Sequence, residues 1–195
     1  MEDSKDYLKK PTTWEEPERK ILETFEKINL AGSMPPGTYQ RIIAILGAGA
    51  VVEAKPLTNY FINHGFGKPM IIAFDLDEKM KLLTEGLINS GYVDIEYRIE
   101  DVADPESFKN EEYDLVIIRR PAVHTSQVVW ERAFQNGFEH LRPGGIFLTT
   151  TDLYDDFVIK QLKREGRDIK KYMIPKEDSV PPYFNEFVLY TATKG

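Results

Sequence analysis

A regular alternation of apolar runs of strand length with amphipathic helical segments constrains the fold most. Segment 77–90 is one example, because Met80, Leu83, Leu87 and Ile88 lie along one face of a predicted helix. Strands that alternate with helices predict right-handed βαβ crossovers and a parallel sheet covered on both faces. The predicted strands are 41–46, 70–74, 93–99, 113–118 and 145–150. The predicted helices are 56–64, 77–90, 126–141 and 152–165, and they follow the first, second, fourth and fifth of these strands.

The end of the sequence departs from this alternation. Residues 168–174 and 186–193 both have strand character, and a connection rich in proline, 175–185, joins them. Two successive strands without a helix between them are expected to pair antiparallel. The sequence therefore predicts an α/β fold whose doubly wound, seven-stranded, mostly parallel sheet ends in a C-terminal antiparallel hairpin.

The residues before the first strand are predicted to form a separate segment. We expect a loose arm over 1–16 and then a helix that begins at Pro17 and ends at Gly32, before the linker Met34-Pro35-Pro36-Gly37. The expected organisation is an N-terminal arm and helix over 1–38 and one α/β domain over 39–195.

Composition and charge exclude several classes of protein. There is no cysteine, which excludes disulfides and thiolate chemistry. The apolar runs are far shorter than the ~20 residues of a membrane span, and MEDSKDYLKK lacks the apolar core of a secretory signal. We therefore expect a cytoplasmic protein with no membrane partner. A formal net charge of −7 disfavours a nucleic-acid partner, and no group of acidic and histidine residues has metal-ligand spacing.

A glycine turn follows the first predicted strand. Gly47, Ala48 and Gly49 come directly after the apolar run, and ligands in open parallel sheets bind beyond the carboxyl ends of the strands. Glycines at this point allow a sharp turn and a close approach of the backbone to a ligand. The alternative interpretation is an ordinary turn between a strand and a helix.

Carboxylates follow the second and third predicted strands. Asp75 is suited to accept two hydrogen bonds from a ribose diol, since Asp77 and Glu78 fit the helix cap better and leave Asp75 free. After the third strand, Asp101 is a candidate acceptor for the exocyclic amine of an adenine, with Val102 against the ring. The alternative for Asp101 is a solvated acidic turn.

These features together resemble class I S-adenosylmethionine-dependent methyltransferases over about residues 40–193. The resemblance rests on the glycine turn, the acid that ends the second strand, the Asp-Val after the third, EYDLVII as the fourth strand and LRPGGIFLTTT leading into the fifth strand. Within the last of these, LRPGG is expected to be a Pro-Gly turn that ends a helix and begins a strand. It implies a Rossmann-like fold and S-adenosylmethionine as the cofactor. The candidate cofactor-binding residues are Gly47, Ala48, Gly49, Glu53, Asp75, Leu76, Asp101, Val102 and Arg119.

The sequence differs from the usual family pattern within the first loop. Ile45 stands where an acidic residue is usual, and Val51 stands at the position of the third glycine. The loop is also enlarged, with Pro56 as a proline in the first turn of the helix. Glu53 lies in this loop and is a candidate to face the ammonium of the cofactor's methionine end, in place of the missing acid.

Catalytic groups are expected after the fourth strand. Methyl transfer is a displacement in which the protein aligns the nucleophile and removes a proton. Arg119 and Arg120 are candidates to clamp an anionic group of the substrate or the cofactor's carboxylate, and His124 is a candidate general base. The alternatives are structural ion pairs for the arginines and a structural role for the histidine. Arg120 and His124 are the candidate catalytic residues.

The sequence thus predicts an S-adenosylmethionine-dependent methyltransferase that acts on a small molecule. One alternative is a binding or scaffold protein that has kept the fold and lost catalysis, for which Ile45 and Val51 argue. Another is a nicotianamine-synthase-like group transferase, because Pro56-Leu57-Thr58 follows the glycine turn. A nicotinamide-dependent oxidoreductase is disfavoured, since Val52 replaces the third glycine of its G-x-G-x-x-G fingerprint.

Overall fold

The computed structural model describes residues 15–109, 111–119, 126–151, 156–175 and 187–194. Its strands are β1 (Ile42–Leu46), β2 (Met70–Asp75), β3 (Asp94–Ile99), β4 (Tyr113–Arg119), β5 (Leu141–Thr151), β6 (Arg167–Ile174) and β7 (Phe187–Thr193). Its α-helices are α1 (Glu15–Lys27), α2 (Leu30–Ser33), α3 (Ala54–Asn63), α4 (Glu78–Asn89), α5 (Gln127–Glu139) and α6 (Asp156–Glu165), and a 3-10 turn spans Pro105–Phe108.

The seven strands form one sheet in the order β3-β2-β1-β4-β5-β7-β6. Strands β1 to β5 pair in parallel, and β7 lies antiparallel between β5 and β6. The predicted mostly parallel, seven-stranded sheet with a C-terminal antiparallel hairpin is therefore confirmed. The strand order reverses between β1 and β4, which makes the carboxyl end of β1 the expected ligand-binding position.

Strand β1 separates the two layers of the core. Ile43 and Ile45 pack into the layer of α1 and α3, whereas Ala44 and Leu46 pack into the layer of α5. A continuous apolar run is what a central strand covered on both faces requires. On the α5 face, Leu46 pairs with Ile118, which pairs with Thr149, so that these residues share one row near the carboxyl end of the sheet.

The N-terminal helix is packed against the α/β layers. Phe25 of α1 meets Tyr60 of α3 with the ring centroids 5.6 Å apart, and the Tyr60 hydroxyl accepts a hydrogen bond from Ala31 N–H at 2.9 Å. The helix does not end at Gly32 as predicted. It ends at Lys27, because Asn29 adopts the left-handed conformation that terminates helices, and Gly32 lies in the short helix α2. The helix also begins two residues earlier than predicted, at Glu15, so that the end of the predicted arm over 1–16 already belongs to α1. The rest of the arm, 1–14, lies outside the described residues, and the division at residue 38 stays a prediction.

Two predicted details of packing and turns are wrong. In α4, Met80, Leu87 and Ile88 pack against the core as predicted, but Leu83 is 51% exposed. The most buried residue of the helix is instead Thr84, whose hydroxyl donates to Met80 O at 2.9 Å. The segment LRPGG is not a turn that precedes a strand, since β5 begins at Leu141 opposite Tyr113. The pairing then shifts to Ile146 opposite Leu115, so that the intervening residues form a bulge in which Gly144 has a φ of 74°.

A charged cluster joins β3 to the loop before β4. Arg98 donates to both carboxylate oxygens of Glu111 at 2.7 and 2.8 Å and to Glu96 at 2.7 Å, and its guanidinium lies over the ring of Phe74. These hydrogen bonds from Arg98 lower the pKa of Glu111 and that of Glu96 below the ordinary value of 4.5. The cluster therefore favours the charged carboxylates in the folded protein.

We expect this cluster to make stability depend on pH in the acid range. A carboxyl group with a lowered pKa stabilises the fold above its unfolded pKa, here 4.5, and that contribution is lost as the pH falls through the folded value. Glu111→Gln should therefore lose less unfolding free energy than the wild type when urea titrations are repeated at successively lower pH. Identical pH dependence in the two proteins would contradict the assignment, and Glu106→Gln, in the exposed part of the 3-10 turn, serves as the control.

No helix in the described part of the chain combines the length and apolar character that crossing a bilayer requires.

Candidate active site

The glycine turn after β1 has the conformation that its sequence indicates. Gly47 and Gly49 have φ values of 66° and 55°, in the left-handed region that glycine enters without strain. Ala48 N–H donates to Phe74 O at 2.9 Å, which ties the turn to the end of β2. The Gly49 carbonyl accepts a hydrogen bond from the Tyr97 hydroxyl at 2.8 Å. The turn is thus held by groups from both neighbouring strands.

The residues that differ from the family pattern are part of the core. Ile45 and Val51 are both fully buried in the layer of α1 and α3. Val51 also has a φ of 50°, which is a genuine outlier for a β-branched residue. Helix α3 begins at Ala54, two residues before the predicted start, and Pro56 is in its first turn as expected. Backbone strain of this kind concentrates at functional sites, where the surrounding structure maintains it.

Asp75 is bonded to the glycine turn rather than free. Its Oδ2 accepts from Gly49 N–H at 2.8 Å, and its Oδ1 accepts from Asp77 N–H at 2.9 Å. The expectation that capping by Asp77 leaves Asp75 without a local role is therefore wrong, although Asp77 does cap α4 through Lys79 N–H. A carboxylate has about four lone-pair positions, so that Asp75 retains acceptor capacity for a ligand.

Two further candidates flank this junction. Glu53 is 7% exposed and occupies the position directly before α3, where the positive end of the helix dipole favours a carboxylate. Leu76 follows Asp75 and is 66% exposed, so that it presents an apolar surface at the carboxyl edge of the sheet. The structure thus places Gly47, Gly49, Glu53, Asp75 and Leu76 around the ends of β1 and β2.

The end of β3 contains two carboxylates in different environments. Asp101 is exposed, and its Oδ1 accepts from Ala103 N–H at 2.9 Å, as in a solvated turn. The preceding Glu100 has a buried Oε2 for which the described residues supply no hydrogen-bond donor. Val102 packs into the core, and its carbonyl accepts from Asn136 at 3.0 Å. Sequence reasoning favoured Asp101, whereas burial favours Glu100, and the sequence contains no signal that separates the two.

The candidates after β4 are only partly described. Arg119 is the last residue of β4 and pairs with Thr150 at the carboxyl edge of the sheet, on the side of Gly47. Its side chain and the residues Arg120 and His124 lie outside the described residues, as does the connection 176–186.

Trp130, in the first turn of α5, is a neighbour of the turn that sequence reasoning missed. Its ring atom Cη2 lies 3.1 Å from the position that a Cβ of Gly47 would occupy. The spacing of Trp130, Phe134 and Phe138 indicates only a core-facing helix stripe, and nothing in the sequence connects this tryptophan with the glycine turn.

Gly47→Ala is expected to be more destabilising than the same change at Gly91. Both glycines have a left-handed φ, 66° and 65°, for which a side chain costs about 1–2 kcal/mol. A Cβ on Gly47 also meets Trp130, whereas one on Gly91 meets nothing within 4 Å. Urea unfolding of the two variants isolates the contact with Trp130, because the φ cost is common to both. Equal losses would show that the indole moves aside freely.

This edge of the sheet offers hydrogen-bond acceptors at two strand ends and a glycine turn between them. A buried carboxylate oxygen at β3 suits an amine, the retained capacity of Asp75 suits hydroxyl donors, and the glycine turn allows close approach. Among the described residues, no three histidine or acidic side chains come together as a metal site.

Solved methyltransferase structures share this fold at low sequence identity. Magnesium protoporphyrin IX methyltransferase from Synechocystis PCC 6803, with bound S-adenosylmethionine, is 14% identical over 92% of this chain and 80% of its own, with a TM-score of 0.66. An S-adenosylmethionine-dependent methyltransferase from Clostridium acetobutylicum ATCC 824 is 15% identical over 94% and 93%, with a TM-score of 0.64. The T. thermophilus 16S rRNA N2 G1207 methyltransferase, in complex with AdoMet and guanosine, is 16% identical over 96% and 44%, with a TM-score of 0.67.

The sequence itself also matches a family. No curated protein sequence shows a significant match to the chain. The family described as "Methyltransferase domain" matches residues 46–145, from the last residue of β1 into β5, and so includes the glycine turn, Asp75 and Glu100. Because this match spans half of the chain and coincides with the described site, the chain belongs to the class I S-adenosylmethionine-dependent methyltransferases.

Proposed function

We propose that the protein transfers a methyl group from S-adenosylmethionine to a small molecule, with the cofactor across the carboxyl ends of β1, β2 and β3. The observation that carries this proposal is the 2.8 Å hydrogen bond from Gly49 N–H to Asp75, which joins the glycine turn to the acid of β2. Two elements that bind different parts of one ligand are thereby held in a constant relative position, as preorganised binding requires.

The residues around the junction have distinct proposed roles. Asp75 accepts the ribose hydroxyls, Leu76 and Val102 flank the adenine, and a carboxylate after β3 accepts the adenine amine. Glu100 is better suited to the last role than Asp101, because its buried oxygen has no donor among the described residues. Gly47, Ala48 and Gly49 admit the backbone close to the ligand. Glu53 faces the ammonium of the methionine end.

The groups after β4 act on the methyl acceptor. The bound cofactor supplies an activated methyl group, so that the protein has to position the acceptor and take up its proton. Arg119 holds the cofactor's carboxylate, Arg120 clamps an anionic group of the acceptor, and His124 takes up the proton. We infer these three roles from the position of the residues in sequence at the carboxyl end of β4.

A small acceptor is supported by the simple connections around the site. From β1 to the 3-10 turn, each connection consists of one helix or a short loop, and no inserted domain offers a docking surface over residues 42–109. The net charge of −7 likewise disfavours an extended phosphate footprint.

Transfer of labelled methyl groups tests the acceptor class. The protein is incubated with S-adenosylmethionine labelled in the methyl group and, in parallel, with the ultrafiltered metabolite fraction, the RNA fraction and the protein fraction of a cell lysate. We expect label in the metabolite fraction alone. Label in RNA or protein would overturn the small-molecule proposal. Calorimetric titration with S-adenosylhomocysteine accompanies the assay, because binding without any transfer would instead support the scaffold alternative.

A further inference from the structure

Trp130 brings an unused hydrogen-bond donor to the glycine turn. Its indole Nε1 is buried, and the described residues supply no acceptor for it. The edge of the ring lies on the turn, since Cη2 and Cζ2 are 3.1 and 4.0 Å from the position of a Cβ on Gly47. Cζ2 and Nε1 are bonded to the same ring carbon. The N–H is therefore separated by one ring carbon from Cζ2 and by two ring carbons from Cη2, the atom nearest to this position.

A buried indole N–H without an acceptor is unusual in a native protein. Tryptophan N–H groups usually find a partner when they are buried, because desolvation of an unpaired donor is costly. Each unsatisfied group of this kind requires an explanation, and a ligand that completes the bond is one. At this place in the fold, the ligand would have to offer an acceptor next to Gly47.

The sheet order determines which part of the cofactor lies there. Strands β3, β2, β1 and β4 are neighbours in that order. With the adenine amine at β3 and the ribose at Asp75 of β2, the methionine end lies over β1 and β4, beside Gly47 and the first turn of α5. This step rests on the proposed function. The acceptor that the methionine end offers is a carboxylate.

We propose that Trp130 binds the cofactor's methionine carboxylate through its indole N–H. A carboxylate takes several donors, and hydrogen bonds to an ionised acceptor are stronger than neutral ones. Trp130 thus donates to the same carboxylate that Arg119 is proposed to hold. The glycine at position 47 then has a second function, because its missing side chain leaves room for the edge of the indole. A side chain there would displace the indole edge from the turn.

Trp130→Phe tests the proposal by removing the N–H while an aromatic side chain is kept, although the outer edge of the indole that lies on Gly47 is lost with it. Calorimetric affinities are measured for S-adenosylhomocysteine and for methylthioadenosine, which has the adenosine and sulfur but no amino-acid group. We expect affinity for S-adenosylhomocysteine to fall about tenfold, as for loss of one charge-assisted hydrogen bond, and affinity for methylthioadenosine to stay unchanged. Unchanged binding of both ligands, or an equal loss for both, would overturn the proposal.

Thr149→Val is the matched control. The hydroxyl of Thr149 is also buried with no partner among the described residues, but β5 is separated from β1 by β4. This variant removes an unsatisfied polar group in the same core layer and should bind S-adenosylhomocysteine as the wild type does. A tenfold loss in Thr149→Val would show that a change in core packing alone lowers the affinity. The loss in Trp130→Phe would then not support a hydrogen bond to the cofactor.

The wild-type protein offers a second measurement that does not depend on the variant's folding. The chain has two tryptophans, so that Trp14→Phe identifies the indole N–H resonance of Trp130 by NMR. That resonance should shift downfield with S-adenosylhomocysteine and not with methylthioadenosine. The same shift with both ligands would contradict a bond to the carboxylate. If the wild type binds neither ligand, the proposed function itself fails, which is a distinguishable result.

Discussion

Asp114→Asn is expected to lower the free energy of unfolding by about 3–5 kcal/mol, the cost of removing one partner of a buried ion pair. Asp114 and Arg41 are 1% and 0% exposed, and their charged groups are 2.8 Å apart at the amino end of β1 and β4. The same carboxylate accepts from the Tyr39 hydroxyl at 2.7 Å and from Ile42 N–H at 2.9 Å. Once this charge is removed, no other carboxylate of the described residues forms an ion pair with the buried Arg41 guanidinium.

Glu112→Gln is the control, because it changes the net charge by the same amount two residues away. Glu112 faces Arg142 at 3.8 Å and its side chain is 65% exposed, so that removal of this pair should cost less than about 0.5 kcal/mol. Urea unfolding monitored by circular dichroism measures both variants at neutral pH. If Asp114→Asn unfolds within the error of the control, Arg41 is not held by this ion pair, and the cluster has little role in joining β1 to β4.

Asp75→Ala is expected to weaken S-adenosylhomocysteine binding by about 1–3 kcal/mol, or roughly ten- to a hundredfold in the dissociation constant. The variant removes the proposed hydrogen bonds to the ribose and also the bond that holds Gly49 N–H against β2. The loss of the bond to Gly49 also lowers affinity, because a glycine turn that is no longer held in place has to be ordered when the ligand binds. Calorimetric titration of the folded variant measures the loss.

Asp77→Ala separates binding from local stability. Asp77 caps α4 through Lys79 N–H at 2.9 Å, and loss of a cap costs typically ~1 kcal/mol of folding free energy. It should leave the affinity for S-adenosylhomocysteine unchanged, because its exposed side chain only caps the helix. Wild-type affinity in Asp75→Ala would remove Asp75 from the ribose site. An equal loss in both variants would mean that the start of α4 supports the site as a whole.

Much of the fold was predictable because a strand that is buried on both faces is apolar at nearly every position. Strand β1 is apolar at every position, and each of the five parallel strands lies within a few residues of its predicted range. The absence of a helix between the last two strands predicted their antiparallel pairing. The errors occurred where a local conformation competes with the pattern, as at Asn29, which ends α1 early, and at Gly144, which bulges β5 instead of preceding it.

The candidate site was predictable only in the residues that follow strand ends. Parallel strands bring their carboxyl ends to one edge, so that Gly47, Gly49, Asp75 and Asp101 could be brought together from their order along the chain. Which side chains remain available to a ligand depends on their hydrogen-bond partners, which have no sequence signature. The partners occupy one oxygen of Asp101 and both oxygens of Asp75, and they leave Glu100 with a buried oxygen that has no donor in the described structure.

The sequence by itself determined the topology and the family, and it predicted the edge of the sheet at which a cofactor would bind, because each depends on the order and spacing of residues along the chain. Only the tertiary structure decided that Gly49 bonds to Asp75, that Val51 is strained within the core, and that Trp130 lies on Gly47 with an N–H for which the described residues supply no acceptor. These are contacts between residues up to 83 positions apart in the sequence numbering, 47 to 130. Their geometry follows from how the helices pack on the sheet, to which local sequence patterns contribute no distance information.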